Sequence, residues 1–181
     1  MKTKITIIFV LLAAALSGCR NEVPIDELDL VEPKLADDHF RVSMQVVVPK
    51  DDTFALYYTF GGTDFSQQQP LWTPISGKVE AQEVQFVFPK EVKPAQLRID
   101  FGMNKTQGDI ILKKIAMTYN HKEFSVSGQD IFRYFRPDDG KCTVNPANGT
   151  LKGKVINGIK QGPSLYPMEN ALGAEIAKLT K

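Results

Sequence analysis

From residue 41 to residue 126 the chain alternates apolar and polar side chains with a period of two, and turn-forming residues close most of the runs. RVSMQVVVP (41–49) places Val42, Met44, Val46 and Val48 on one side and ends on proline, which predicts a strand with one buried face. TFALYYTF (53–60) repeats the design with Phe54, Leu56, Tyr58 and Phe60 inward, then stops at Gly61-Gly62, a pair that supplies the positive φ angles of a turn. EVQFVFP (83–89) turns Val84, Phe86 and Phe88 inward. QLRIDFG (96–102) does the same with Leu97, Ile99 and Phe101, which leaves Arg98 and Asp100 together on the opposite face. DIILKKIAMTY (109–119) breaks phase: Ile111 falls in step with Ile115, Met117 and Tyr119, whereas Ile110 and Leu112 do not. A β-bulge near Lys113-Lys114 reconciles the two sets. Asn120-His121 then predicts a tight turn into KEFSV (122–126).

Five strands joined by short turns, with no helical period between them, predict a mainly β chain: an antiparallel, jelly-roll-like β-sandwich rather than an α/β fold. PLWTPISGKV (70–79) reads as a further strand, and Pro70 and Pro74 assign it to a sheet edge because proline donates nothing to a ladder. QDIFRYF (129–135) carries Ile131, Phe132 and Phe135 at helical spacing and predicts a short helical segment. Pro167 followed by MENALGAEIAKLTK predicts a C-terminal helix with proline in its first position. Met168, Leu172, Ile176 and Leu179 form its apolar stripe, for docking on the body, and Gly173 in its middle costs about 1 kcal/mol. Between Cys142 and Gly162 the pattern is too weak to assign elements.

Ahead of the strands, Lys2 and Lys4 precede a weakly polar to apolar run of twelve residues, Ile5 to Leu16. A membrane span takes roughly 20 apolar residues, whereas the central region of a secretory signal takes about 7–15. The end of the run, Leu16-Ser17-Gly18-Cys19, resembles the bacterial lipobox, in which small residues precede a cysteine that is diacylated before cleavage. By that resemblance residues 1–18 are a lipoprotein signal peptide and Cys19 is the lipidated first residue of the mature chain. The membrane is then a partner through acyl chains whose buried methylenes contribute about 0.8 kcal/mol each.

The 163 residues from Cys19 onward suit one domain, and 43% hydrophobic with 24% charged residues is ordinary for a globular chain. Charge marks a boundary within them. Residues 20–38 hold seven acidic residues against Arg20 and Lys34, with Pro24 and Pro33 breaking the stretch, while residues 39–181 carry 18 basic and 14 acidic residues. Residues 19–38 therefore read as a lipidated acidic tether and 39–181 as a single β-sandwich domain with its C-terminal helix. The tether resembles the leaders of Bacteroidetes surface lipoproteins. That likeness implies lipid anchoring at the bacterial outer membrane, with surface display favoured over the periplasmic face.

Other chemistries find little to stand on. A mature chain of 20 basic and 21 acidic residues has no global field for nucleic acid, and no G-x-x-x-x-G-K-[ST] phosphate loop occurs. His39, His121 and Cys142 lack zinc-ligand spacing, and Asp138-Asp139-Gly140 with Asn145 lacks the EF-hand register, so no metal or cofactor is expected. With Cys19 acylated, Cys142 has no disulfide partner and reads as a half-buried strand residue. Asp51, Asp52, Asp100, Asp109, Asp138 and Asp139 offer carboxylates for a hydrolase, but they sit where loops and turns use aspartate, and the chain reads as a non-enzyme.

The series Asp52–Tyr58, Val84–Phe86, Leu97–Asp100 and Ile110–Ile115 is similar to β-sandwich domains of carbohydrate-binding type in bacterial cell-envelope proteins, some attached to glycosyltransferases. The likeness covers roughly residues 40–136, and its motifs are mostly core positions. It implies a non-catalytic domain that holds glycan on exposed aromatic rings flanked by polar side chains. Trp72, the single tryptophan, and Tyr57, opposite in phase to Leu56 and Tyr58, are the candidate ring contacts. Arg98 and Asp100 are the candidate polar contacts, or else an ion pair between neighbouring strands. The alternative function is an assembly module that docks on other envelope proteins and binds no sugar. A glycan module should show a concave surface with Trp72 or Tyr57 exposed; an assembly module should show an apolar patch of more than a few hundred Å².

Overall fold

The computed structural model describes residues 38–181. Cys19, the signal-like run and nearly all of the acidic tether lie outside the described residues. In chain order the described elements begin with β1 (Arg41–Val48), β2 (Asp52–Thr59), β3 (Leu71–Ile75), β4 (Lys78–Val87), β5 (Gln96–Asp100), β6 (Ile110–Tyr119) and β7 (Lys122–Ser127). A 3-10 helix (Gly128–Arg133) follows, then β8 (Phe135–Pro137), β9 (Cys142–Asn145), β10 (Thr150–Gly153), β11 (Val155–Ile156), β12 (Ile159–Lys160), β13 (Ser164–Pro167) and the helix α1 (Glu169–Thr180). One sheet has the order β4-β1-β6-β10-β9, with β7 sharing an edge of β6 with β10; the other has the order β3-β2-β5-β13-β8. All pairings are antiparallel, and β11–β12 is a separate hairpin.

The alternating apolar positions of both sheets meet in one core. Val42, Met44, Val46 and Val48 of β1 join Phe54 and Leu56 of β2 and Leu97 and Ile99 of β5 in a single buried cluster. Burying each such side chain contributes about 1.5–3 kcal/mol. The architecture is thus the antiparallel two-sheet sandwich that the alternation predicts, with the short helical segment and the C-terminal helix also present. The bulge falls on Lys113: Gln45 pairs with Lys114 and Val46 with Leu112, so Lys113 is the extra residue and both Leu112 and Ile115 reach the core. Asn120 (φ 48°) and His121 (φ 64°) form a two-residue hairpin turn between the paired residues Tyr119 and Lys122.

Four expectations need correction. Phe60 is 67% exposed because β2 ends at Thr59 and the chain bends away, losing the alternation. Pro167 does not open the helix; it pairs with Phe135 as the last residue of β13, and Met168 donates its N–H to the Tyr134 carbonyl before α1 begins at Glu169. Only Leu172, Ile176 and Leu179 of the stripe are buried, and Met168 is exposed. Cys142 is fully buried rather than half-buried. Burial pushes its thiol pKa up, so the group stays protonated.

Gly173 has a packing reason. A Cβ there would press on the Gln96 amide, which donates a 2.8 Å hydrogen bond to the Glu169 carbonyl in the first turn of α1. The close approach of helix and strand explains why the helix carries glycine at a propensity cost.

Candidate functional site

On the strands of the second sheet, the residues out of phase with the core form its outer face. Register aligns Trp72 of β3 with Ala55 of β2, Ala55 with Asp100 of β5, and Asp100 with Ser164 of β13. Four strands at about 4.8 Å spacing make this row about 14 Å long. In the next row Tyr57 pairs with Arg98. Ala55, whose side chain is only a methyl, lies between the large groups Trp72 and Asp100, and a cleft of about 170 Å³ opens over it. Tyr57 closes one end, and Thr53 with Gly102 and Met103 closes the other. Lys141 and Gln161 stand on the Ser164 side, because the turn before β9 is tied to Ser164, whose carbonyl accepts the Asp138 N–H.

Arg98 and Asp100 form the predicted ion pair, but within β5 rather than between strands. Arg98 donates Nε–H to Oδ1 at 2.9 Å and an Nη2–H to Oδ2 at 2.6 Å. Its guanidinium lies 4.8 Å from the ring centres of both Tyr57 and Tyr166, a cation held between two aromatic faces. Burial works to lower the Arg98 pKa, but the Asp100 hydrogen bonds and charge more than offset it, so its pKa lies above the ordinary value. The pair presents Asp100 to the cleft as a fixed, charge-balanced acceptor.

Of the four candidate ligand residues, the fold brings Trp72, Tyr57 and Asp100 to one cleft and sets Arg98 behind Asp100. Trp72 is 50% exposed at the cleft rim. A wider hollow of about 390 Å³ opens on the same face beside Thr63, Arg136 and Met168, but its one aromatic ring is not free. Arg98 and Arg136 lie over the Tyr166 ring at 4.8 and 5.4 Å, and buried Phe65 meets it edge-on. A half-exposed aromatic ring thus lines the smaller cleft, whereas the ring at the larger hollow is covered by two guanidinium groups.

Other singled-out residues have structural duties. The Asp52 carboxylate accepts the N–H groups of Thr53, Met103 and Asn104 and an amide hydrogen of Gln107, which shapes the end of the cleft. Asp51 accepts the Gly77 N–H, and Asp138 and Asn145 each close their own turn by accepting the N–H two residues on. His39 Nδ1 lies 2.8 Å from the Phe88 carbonyl, and Tyr134 packs against Phe124. Among the described residues, no three or more His, Cys, Asp or Glu side chains are grouped to hold a metal ion, and no helix is long and apolar enough to cross a membrane. Sequence reasoning missed Thr53, Lys141, Gln161 and Ser164. Thr53 was in principle visible from its phase in β2, whereas the other three come from or border the stretch without a pattern.

The class this fold defines is a mainly β, two-sheet antiparallel domain with an open cleft on the outer face of one sheet. No family model matches the chain, and no curated protein or solved structure matches it either.

Proposed function

We propose that the chain is a lipid-anchored cell-envelope lipoprotein whose sandwich binds glycan without catalysis at the cleft over Ala55. The observation that carries this reading is Trp72, a half-exposed indole beside a floor of small residues and the hydroxyl, amide and carboxylate groups of Thr53, Gln161 and Asp100. An apolar ring face beside convergent polar groups suits a pyranose, which has apolar C–H faces and a polar equator. Three features support the address: the lipobox-like Leu16–Cys19, the basic head before it and the acidic tether behind it. Attachment at the outer membrane through Cys19, on the outward face, would let the tether carry the domain to a polymer.

The glycan reading is tested by electrophoresis of the protein through gels containing different polysaccharides. Trp72→Ala is expected to weaken retardation by roughly ten-fold or more, as truncation of a central tryptophan anchor does, with little change in the unfolding midpoint. Undiminished retardation of the variant, or no retardation of the folded parent by any glycan, would sink the reading. The anchor has its own test. Cys19→Ser is expected to abolish palmitate incorporation and release the protein from the membrane fraction, whereas labelling that persists in the variant would rule out Cys19 as the acceptor.

Assembly with envelope proteins is the second reading, and the β11–β12 hairpin favours it. Val155, Ile156 and Ile159 are 67%, 41% and 45% exposed. Under that reading Trp72→Ala leaves every interaction of the protein intact.

A further inference from the structure

Charge at the cleft separates one kind of glycan from another. Only two ionisable acid–base groups other than a phenol line it, Asp100 and Lys141. Arg98 matches the Asp100 charge through two hydrogen bonds, at 2.9 and 2.6 Å. Lys141 is half-buried, and among the described residues its ammonium forms no ion pair. The two acids on its own turn form no ion pair with it: Asp138 turns its Oδ1 to the Gly140 N–H, and the Lys154 ammonium donates to the backbone carbonyl of Asp139 beside it. Among the charged residues that line the cleft, Lys141 is therefore the one held in no ion pair, on the side away from Trp72.

Resting on the glycan reading, we infer that the cleft selects anionic polysaccharide: Lys141 takes a carboxylate or sulfate of one sugar unit while Trp72 stacks on a ring nearer the β3 edge. A lysine in no ion pair, on a half-buried residue beside a charge-balanced pair, favours an anion, because a charge-assisted hydrogen bond to a carboxylate or sulfate is stronger than a neutral one and the flanking protein lowers the dielectric. The hollow, about 170 Å³, is smaller than the roughly 300–1,000 Å³ that encloses a drug-sized ligand. It fits one or two units of a chain passing along the row from Trp72 to Ser164, and the rest of the polymer stays in solvent.

The test uses the full chain in detergent and four probes: polygalacturonate, the same polymer with its carboxyls reduced to alcohols, dextran sulfate, and neutral dextran. The polygalacturonate pair isolates the carboxylate, and the dextran pair isolates the sulfate. Binding is expected to at least one charged polymer and to be about ten-fold weaker for its neutral counterpart. Lys141→Gln should lose about ten-fold on the charged polymer and nothing on the neutral one. Trp72→Ala should weaken both. Lys113→Gln, exposed on the other sheet, should weaken neither.

Equal binding of charged and neutral polymers, still dependent on Trp72, would overturn this inference and leave the glycan reading standing. Binding of charged polymers that Lys113→Gln weakens as much as Lys141→Gln, and that ignores Trp72→Ala, would reduce it to general attraction between polyanion and a basic domain, and overturn it. No binding of any of the four polymers by folded protein would overturn this inference, and no retardation by any glycan would overturn the glycan reading with it.

Discussion

Phe101→Ala lowers the free energy of unfolding by about 3–5 kcal/mol, the range for removing a fully buried aromatic ring. Phe101 is completely buried and packs edge-on against Phe54 of β2, with ring centres 5.2 Å apart. The loss has two parts. Transfer of the ring out of the core is lost, and a cavity remains, because Phe54, Ile99 and the facing sheet cannot close over it without leaving their rotamers. Its backbone N–H meets the Pro163 carbonyl at 2.8 Å, so the chain stays fixed and the cavity does not collapse. Typical domains have only about 5–15 kcal/mol of stability, so the urea midpoint should fall by about a fifth or more. Glycan affinity measured below that transition should change little, because the ring points away from the cleft. A shift below 1 kcal/mol would mean that the core is less tightly packed around Phe101 than its burial implies.

The same phase relation made both the core and much of the site readable. Once Phe54 and Leu56 are assigned inward, Ala55 and Tyr57 must face out; once Leu97 and Ile99 are inward, Arg98 and Asp100 must face out. The outward positions of two adjacent strands share a surface, and the proline-marked edge strand with Trp72 completes it. Even the bulge at Lys113 and the turn at Asn120-His121 follow from local chemistry.

Partnership across the sheet is not local, and here the reading stops. Ser164 lies beside Asp100 because β13 pairs with β5, a contact across 64 positions of sequence for which no alternation within either strand provides a sign. β9 to β12 escape detection for another reason: each spans two to four residues, too few for a period of two to be distinguished from chance, and their turns are rich in Asn, Gly and Lys. Lys141 and Gln161 enter the cleft from the two ends of that stretch. The exposure of Phe60 and the strand end at Pro167 reflect the same limit, since where a strand stops depends on where its neighbour does.

Gly102→Ala should cost about 2.5–5 kcal/mol and impair the cleft together with the fold. Gly102 has φ +89°, beyond the left-handed region of roughly +50 to +70° that other residues visit. Placing an L side chain there costs about 1–2 kcal/mol. The added Cβ would also overlap the Asp52 carboxylate. That carboxylate is pinned: its Oδ1 accepts N–H groups from Thr53, Met103 and Asn104 at 2.9, 2.8 and 3.1 Å, and its Oδ2 accepts from Gln107 at 3.1 Å. Gln107 is itself held by the Lys50 carbonyl at 2.8 Å. Moving the carboxylate therefore forfeits hydrogen bonds to a charged acceptor, about 1.5–3 kcal/mol. Gly102 and Met103 line the cleft, so polysaccharide retardation should weaken with the unfolding midpoint. Gly61→Ala is the control, since a Cβ there meets nothing within 4 Å. A double-mutant cycle separates the two costs. In an Asp52→Ala background Gly102→Ala should lose only the backbone part, and an undiminished penalty there would exclude the carboxylate as its cause.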